Sequence, residues 1–129
     1  FIHYTLSTMA WHNDLGRWGE DVAAKYLEQK GFRVICRDWH YKHRDLDIVV
    51  TDDDGLCVIV EVKTRQNEVY ADADLAVTPQ KVRSLSIAAN AFIKSHRIDA
   101  DIRFDIITIV GTPENYEVRH VEDAFLPFV

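Results

Sequence analysis

Two runs of β-branched residues separated by a short acidic segment constrain the fold of this chain more than any other feature. Residues 46–51 and 56–64 are rich in valine and isoleucine, which favour strands, and residues 52–55 between them (DDDG) favour a tight reversal. This pattern predicts a β-hairpin. The middle of the second run is apolar at both odd and even positions, which is typical of a strand covered on both faces. We therefore expect this strand to lie at the centre of a sheet.

Helical spacing of apolar residues marks two further segments. The first begins at Asn13 or Asp14, either of which is a good helix cap, and ends at Gly31. The second begins at Thr78 and Pro79, a cap followed by a proline in the first turn. Further strands are predicted at residues 32–37, 102–110 and 116–120, a basic and aromatic connection at 39–44, and a mobile loop or irregular segment at 66–77. This order predicts an α/β fold with a mixed central β-sheet flanked by helices.

The length of 129 residues suits one domain. Residues 1–12 are interpreted as an N-terminal extension, either disordered or introduced by cloning, and residues 13–129 as a single α/β domain. No apolar run approaches the roughly 20 residues that span a bilayer, and the first eight residues lack the pattern of a secretory signal. Cys36 and Cys57 lie in apolar runs, as reduced cysteines do. We therefore expect a cytoplasmic protein without a membrane segment.

The overall charge disfavours a general affinity for nucleic acid. The formal net charge is -6 and the pI is about 5.4, whereas contacts to phosphate normally require a basic surface. Basic residues are nevertheless grouped locally, at residues 42–44, 63–65 and 81–83. Each group alone is equally typical of solvated surface. Nucleic-acid binding therefore depends on where the fold places these groups.

Acidic residues on the two strands of the predicted hairpin form the candidate site. A turn of three or four residues places Asp47 opposite Val60 or Glu61, so either register brings the two carboxylates close together. Asp45 and Lys63 lie two residues from Asp47 and Glu61, respectively, and therefore on the same strand faces. Like charges placed so closely in an apolar sheet require a cation.

The expected cation is Mg²⁺ or Mn²⁺, because these ions take carboxylate oxygens as ligands and keep waters and substrate phosphate in their shell. Such an ion lowers the pKa of a bound water and stabilises charge on a phosphoryl oxygen, and a nearby lysine orients the water or neutralises the oxyanion. These residue types therefore indicate phosphodiester hydrolysis. An ordinary cross-strand ion-pair cluster on a solvated patch would have the same sequence, since alternating charge and valine is common in strands.

Asp47 on one strand and Glu61-Val62-Lys63 on the next resemble the PD-(D/E)xK nuclease motif. The wider pattern resembles the YraN family of bacterial endonuclease-like proteins, which are related in fold to archaeal Holliday-junction resolvases. Its segments here are residues 16–23 (GRWGEDVA), 60–65 (VEVKTR), 77–81 (VTPQK), 103–105 (RFD) and 123–125 (DAF). The resemblance thus covers nearly the whole chain. It implies a restriction-endonuclease-like core and a metal-dependent endonuclease that acts on DNA.

The resemblance also implies roles for individual residues. Asp47 and Glu61 would bind the metal, and Lys63 would be the catalytic lysine. Glu20 on the first helix would reach the site as a further metal ligand. Gln80 on the second helix would reach it as a catalytic residue. The family thus implies an active site that draws on the hairpin and on both helices.

Other candidate residues have weaker support. The family usually has Gly-Glu-Ile-Asp where this chain has RDLD at residues 44–47, so the supporting metal ligand would be Asp45, a methylene shorter than glutamate. Arg44, Arg65 and Lys81 are candidate contacts to nucleic acid. A phosphate at Lys81 would offset the unfavourable place of a cation in the first turn of a helix. A lysine whose stem covers the edge of the core would explain Lys81 equally well.

Two functions from different classes agree with these observations. The first is a Mg²⁺-dependent endonuclease acting on DNA, on branched or single-stranded structures. The second is a non-catalytic module that retains the nuclease core to bind nucleic acid or protein, which the acidic net charge favours. Affinity for Mg²⁺ distinguishes them, because a protein-binding module has no need of a metal. A homodimer is an open alternative to a monomer, since a resolvase-like task requires two cuts.

Overall fold

A computed structural model describes residues 2–69 and 77–127 of the chain, with side chains from Asp14 onward. Within these residues, a mixed five-stranded sheet packs against two long helices. The elements are α1 (Ile2–Gln29), β1 (Arg33–Tyr41), β2 (Arg44–Thr51), β3 (Leu56–Arg65), α2 (Pro79–His96), β4 (Asp101–Thr112) and β5 (Asn115–Val121). The strands follow one another across the sheet in chain order. Only β3 and β4 are parallel; the other neighbouring pairs are antiparallel. The predicted α/β fold with a nuclease-like mixed sheet is confirmed.

The two helices pack on opposite faces of the sheet. Along β3, Val58 and Val60 belong to the core on the α1 side, whereas Cys57 and Ile59 belong to the core on the α2 side. All four are buried, so the prediction of a central strand covered on both faces is confirmed. The α1-side core also contains Ala23, Ala24, Leu27, Ile48, Val50, Ile107 and Ile109. The α2-side core also contains Leu46, Val49, Leu85, Ala88, Ala89, Phe92 and Phe104.

The start of α2 follows the predicted pattern. Thr78 is the N-cap, its Oγ1 accepts a hydrogen bond from the Lys81 backbone N–H at 3.2 Å, and Pro79 occupies the first turn. Arg97 ends the helix in the left-handed conformation. This cap fixes where the first turn of α2, including Lys81, lies against the sheet.

Two predicted boundaries were wrong. α1 begins at Ile2 instead of Asn13 or Asp14; no glycine or proline precedes Gly16, and each residue added to an existing helix gains a hydrogen bond. The division of the chain after residue 12 stays a prediction. Residues 39–41 were predicted as part of a connection but continue β1, because Trp39 pairs with Leu46 on β2. Much of the predicted loop at 66–77 lies outside the described residues.

Neither of the described helices is long and apolar enough to cross a membrane. α1 carries charged residues from Asp14 onward, and α2 presents several polar residues beside its buried face. That agrees with the absence of a long apolar run in the sequence.

Candidate active site

The register of the hairpin brings two carboxylates together. Ile48 pairs with Val60 and Val49 with Ile59, so Asp47 and Glu61 are the residues that directly follow the last pair of the ladder on the two strands. The Glu61 carboxyl is close enough to Asp47 that its hydrogen bonding and its charge both raise the pKa of Asp47. We refer to these two residues as the acid pair.

β2 is irregular at Asp47, and this irregularity shapes the site. Residues two apart in a strand normally face the same side, yet Leu46 packs in the α2-side core and Ile48 in the α1-side core. The paired ladder of β2 and β3 ends at Ile48, and the Val62 N–H donates instead to Asp47 Oδ2 at 2.8 Å. A side-chain oxygen thus replaces a backbone acceptor, and the two strands separate where the acids lie.

Burial and mutual repulsion make the acid pair hold a proton. Burial is the main cause that raises the pKa of Asp47 to about 8, followed by its hydrogen bond to Glu61 and the charge of Glu61. The Val62 N–H acts in the opposite direction, and the charge of Glu20 adds to the rise. Glu61 is itself only 9% exposed. Without a bound cation, the acid pair therefore retains one proton at neutral pH.

Lys81 contacts Glu61 of the acid pair. Its Nζ lies 3.0 Å from Glu61 Oε2, and its side chain is 49% exposed. Burial lowers the pKa of Lys81, but the carboxylates of Glu61, Asp47 and Asp45 outweigh burial and the net shift is upward. Lys81, predicted as a contact to nucleic acid, therefore also contacts a predicted metal ligand.

Glu20 lies close to the acid pair on the α1 side. Its Oε1 is buried and accepts no hydrogen bond within the part of the chain that the structure describes, and the nearest cation, Arg37 Nη2, is 3.7 Å away. Burial, followed by the hydrogen bond and the charge of Asp38, raises the pKa of Glu20 to about 7, against the effect of Arg37. Glu20 lines a cleft of about 330 Å³ whose other lining residues are Leu15, Gly16, Val62, Thr64 and Arg65.

The structure brings together some of the other predicted residues and separates one. Lys63 is half-buried two residues after Glu61 on β3, and Gln80 is exposed in the first turn of α2 next to Lys81. Asp45, in contrast, is exposed and its Oδ1 pairs with Nδ1 of His40. Asp45 therefore lies at the rim of the site and not beside the acid pair.

Two predicted contacts to nucleic acid differ in their surroundings. Arg65 is half-buried at the end of β3, and its Nη1 donates to the Thr64 carbonyl at 2.9 Å. Arg44 is half-buried at the start of β2, and its Nε is buried without a hydrogen-bond partner among the described residues. Arg65 thus lines the cleft beside Glu20, whereas Arg44 lies at the hairpin between β1 and β2.

The donor set suits Mg²⁺ or Mn²⁺ bound with the help of substrate. Within residues 14–69 and 77–127, no three His, Cys, Asp or Glu side chains are close enough to hold an ion by themselves. Mg²⁺ commonly uses one or two carboxylates and completes its shell with waters and phosphate oxygens. The acid pair supplies two hard oxygen ligands, and Glu20, whose Oε1 lacks a hydrogen bond among the described residues, is close enough for its charge to act on Asp47. Asp47 and Glu61 are therefore the residues that would hold the ion.

A buried charge network on β4 and β5 was not predicted. Asp105, 1% exposed, accepts hydrogen bonds from Arg103 Nε and Nη2 at 2.8 Å each, from His120 Nε2 at 2.7 Å and from the Asp123 N–H at 3.0 Å. The Tyr26 hydroxyl lies 3.0 Å from His120 Nδ1. The sequence signal was an acid inside an otherwise apolar strand. His120, the partner of Asp105 on β5, has no sequence feature that marks it as buried next to an acid, so only the structure reveals the network.

Comparison with known proteins places these residues in a family. The profile of an "Uncharacterised protein family UPF0102" matches residues 19–109. A "UPF0102 protein" of Bacteroides fragilis is 46% identical over 119 residues, which cover 92% of this chain and 98% of that protein. Similar proteins from Bacteroides thetaiotaomicron, with 44% identity over 92% of this chain and 98% of that protein, and from Syntrophomonas wolfei, with 37% over 88% and 99%, match as well. The matched region includes every residue of the acid pair and its surroundings.

Proposed function

Because the chain belongs to the UPF0102 family, the PD-(D/E)xK nuclease-like YraN group that its sequence resembles, we propose that it is a metal-dependent endonuclease. Its substrate would be DNA, branched or single-stranded, and its reaction the hydrolysis of phosphodiester bonds. The observation that carries the proposal is the close approach of the Asp47 and Glu61 carboxyl groups where β2 and β3 separate. Each further step rests on residues around this pair.

The acid pair has no evident benefit for folding. Two like charges placed opposite each other across a sheet are destabilising, and a buried acid without a full set of cation partners raises the free energy of the folded state. Lys81, half exposed, contacts only Glu61 of the two. Perturbed carboxylates of this kind are typical of functional sites. A divalent cation in place of the shared proton would satisfy both side chains.

The residues around the acid pair have defined tasks in this mechanism. When bound, Mg²⁺ or Mn²⁺ lowers the pKa of a water and stabilises charge on a phosphoryl oxygen. Lys63, on the same strand face as Glu61, orients the attacking water or neutralises charge on the phosphate. Gln80 is the other catalytic residue of the proposal and approaches from the first turn of α2. Asp45 serves only as a distant acid at the rim.

Basic residues would hold the DNA backbone. Lys81 contacts Glu61 in the free protein and would turn to a phosphate oxygen when the metal takes that carboxylate. Arg65 would contact the strand from the cleft beside Glu20, and Arg44 from the hairpin between β1 and β2. Because the net charge is -6, these few local contacts would have to supply the attraction to phosphate.

Cleavage of labelled DNA tests the proposal directly. Single-stranded, duplex and four-way-junction DNA are incubated with Mg²⁺ or Mn²⁺ and the wild type, Asp47→Asn, Glu61→Gln or Lys63→Met. Each substitution keeps the shape of the side chain and should lower the cleavage rate at least about 100-fold. Asp53→Asn, at an exposed acid of the hairpin turn, is the matched control and should cut at the wild-type rate. Cleavage that survives all three substitutions would come from a contaminating nuclease and would refute the proposal.

A non-catalytic module that binds nucleic acid or protein is the second candidate. It is favoured by the acidic net charge and by the lack of a preformed three-ligand metal site among the described residues. Isothermal titration with Mn²⁺ separates the two functions. The endonuclease proposal requires wild-type binding that Asp47→Asn abolishes, whereas a module that binds only protein should show no specific metal uptake.

The setting of the reaction is part of the same proposal. Cys36 and Cys57 are free thiols, which fits a reducing compartment such as the cytoplasm. A homodimer would place two active sites on one branched DNA molecule and permit two cuts. Sedimentation of the protein with and without a four-way junction would distinguish one copy from two.

A further inference from the structure

α1 approaches β3 most closely at Gly19. A Cβ atom added at this buried glycine would lie 1.9 Å from Oγ1 of Thr64 and 3.0 Å from its Cβ and Cγ2. Rotation of the threonine side chain relieves this contact only in part, because one rotamer puts Cγ2 in the place of Oγ1 and the Cβ of Thr64, 3.0 Å away, does not move with χ1. Only glycine therefore permits this distance between helix and strand.

Glycine at this position has a cost that the fold accepts. A glycine inside a helix destabilises it by about 1 kcal/mol relative to alanine. Gly16, three residues earlier on the same helix, has no atom within 4 Å of an added Cβ. The requirement for glycine thus concerns the contact with Thr64 and not α1 in general.

The residue that follows Gly19 is Glu20. Its Oε1 is buried without a hydrogen-bond partner in the described part of the chain, and its side chain lines the cleft that Thr64 and Val62 also line. Val62 in turn donates its N–H to Asp47. The depth at which α1 lies on β3 therefore sets how far the Glu20 carboxylate is from the acid pair.

We infer that Gly19 is a positioning residue of the active site: its contact with Thr64 holds α1 against β3 so that Glu20 reaches the ion bound by Asp47 and Glu61. This inference rests on the proposed function, because it assumes that an ion binds there. It adds to that function a residue pair, Gly19 and Thr64, that acts through Glu20 and touches neither metal nor substrate.

Titration with Mn²⁺ of a small set of variants tests the inference. Gly19→Ala should weaken Mn²⁺ binding about 10- to 100-fold, as loss of an outer-shell partner typically does, and by about as much as Glu20→Gln. Gly16→Ala, with the same change on the same helix, should bind as the wild type does. Removing the opposing side chain in Gly19→Ala/Thr64→Gly should restore affinity.

A double-mutant comparison shows whether Gly19 acts through Glu20. In the Glu20→Gln background, Gly19→Ala should cause no further loss of Mn²⁺ affinity, since the ligand it positions is already gone. An equal loss in both backgrounds would overturn the inference, because it would show a general effect of helix displacement. Urea unfolding of each variant confirms that the folded protein is being titrated.

The outcomes separate the inference from the proposed function. A wild type that binds no Mn²⁺ refutes the proposed function and the inference with it. A wild type that binds Mn²⁺, with Gly19→Ala binding equally well, overturns the inference alone. If Gly19→Ala does not fold, Gly19→Ala/Thr64→Gly decides: wild-type affinity supports positioning, and the affinity of Glu20→Gln refutes it.

Discussion

Two groups of acids, Asp105 with its partners on β4 and β5 and the acid pair on β2 and β3, have opposite electrostatic surroundings. On β4, burial by itself raises the pKa of Asp105, but hydrogen bonds from His120, Arg103 and the Asp123 N–H outweigh burial and lower it to about 2. On β2, Asp47 faces another acid, and its pKa is raised to about 8. Burial thus raises both pKa values, and the partners decide the direction of the net shift.

The difference teaches how to tell a structural acid from a functional one. Asp105 is surrounded by donors and cations that the chain supplies, so it needs nothing from solution. The acid pair receives the Val62 N–H and the half-exposed Lys81, but each of its acids faces another acid, so it holds a proton until a stronger cation replaces it. Incomplete satisfaction of a buried charge is the signal that a ligand is expected.

The largest expected change in unfolding free energy comes from replacing Asp105, the acid whose hydrogen-bond partners all come from the chain. Asp105→Ala leaves Arg103 and His120 without their buried partner and should lower the free energy of unfolding at pH 7 by about 3–5 kcal/mol. Because the folded pKa of Asp105 is depressed to about 2, its contribution exists above the unfolded pKa near 4 and is lost as the pH falls toward 2. Urea unfolding at pH 7 and pH 3 measures both effects. A loss below 1 kcal/mol at pH 7 would remove the contrast between the two groups.

The acid pair should have the opposite dependence on pH. Because the folded pKa of Asp47 is raised to about 8, the folded state binds more protons than the unfolded state, and stability should fall as the pH rises from about 4 to 8. Asp47→Asn should remove this decline and stabilise the metal-free protein at pH 8 by roughly 1–3 kcal/mol. Thermal unfolding in EDTA across this pH range is the measurement. Destabilisation by Asp47→Asn at pH 8 would show that the pair is structural.

A divalent cation should sharpen the contrast further. At ten times its dissociation constant, Mg²⁺ should stabilise the wild type at pH 8 by about 1.4 kcal/mol and leave Asp47→Asn unchanged. At pH 6 the wild-type gain should shrink, because the ion then competes with the proton shared by Asp47 and Glu61. Melting curves with matched concentrations of Mg²⁺ and choline chloride exclude a general salt effect. A gain that is equal at both pH values would place the ion elsewhere.

Replacing the basic residue that contacts each group of acids should cause the smallest losses of unfolding free energy in this series. Lys81 is half exposed, so its contact with Glu61 is a surface interaction, and Lys81→Met should cost less than about 1 kcal/mol at pH 7. Arg103, whose side chain is 21% exposed and binds Asp105 through two nitrogens, should cost more when changed to methionine. Urea midpoints of the two variants make the comparison. A larger loss for Lys81→Met would mean that the acid pair depends on its lysine for folding.

Local sequence patterns were sufficient to predict much of the fold. The hairpin, the central place of β3 and the capped start of α2 all depend on residues close in sequence, and all three are confirmed. The turn length left Asp47 opposite Val60 or Glu61, but with either register it predicted that the carboxyl groups of Asp47 and Glu61 lie close together, as they do. The continuation of β1 through Trp39 was missed because it depends on pairing with β2 and not on local propensity.

Contacts between side chains of elements that are distant in sequence could not be predicted from the sequence. The contact of Lys81 with Glu61 requires the exact place of α2 on the sheet, and the contact of Gly19 with Thr64 requires that of α1. The exposure of Asp45 and its pairing with His40 depend on how the β1–β2 hairpin twists. The roles of Gln80 and Lys63 stay predictions, since they concern chemistry with a substrate.

The parallel pairing of β3 with β4 has a consequence for the order of folding. Its ladder joins residues 56–65 to residues 101–110, so it forms only after the chain between them has closed a long loop, which is slow. The acid pair needs only the adjacent hairpin of β2 and β3, whereas the Asp105 network also needs Tyr26 and His120, 94 residues apart. We therefore expect Asp47 and Glu61 to come together during folding before the Asp105 network has formed, when the partly formed sheet has little stability to offset their repulsion. A shared proton, or an ion bound at that stage, would remove the repulsion and speed this step of folding.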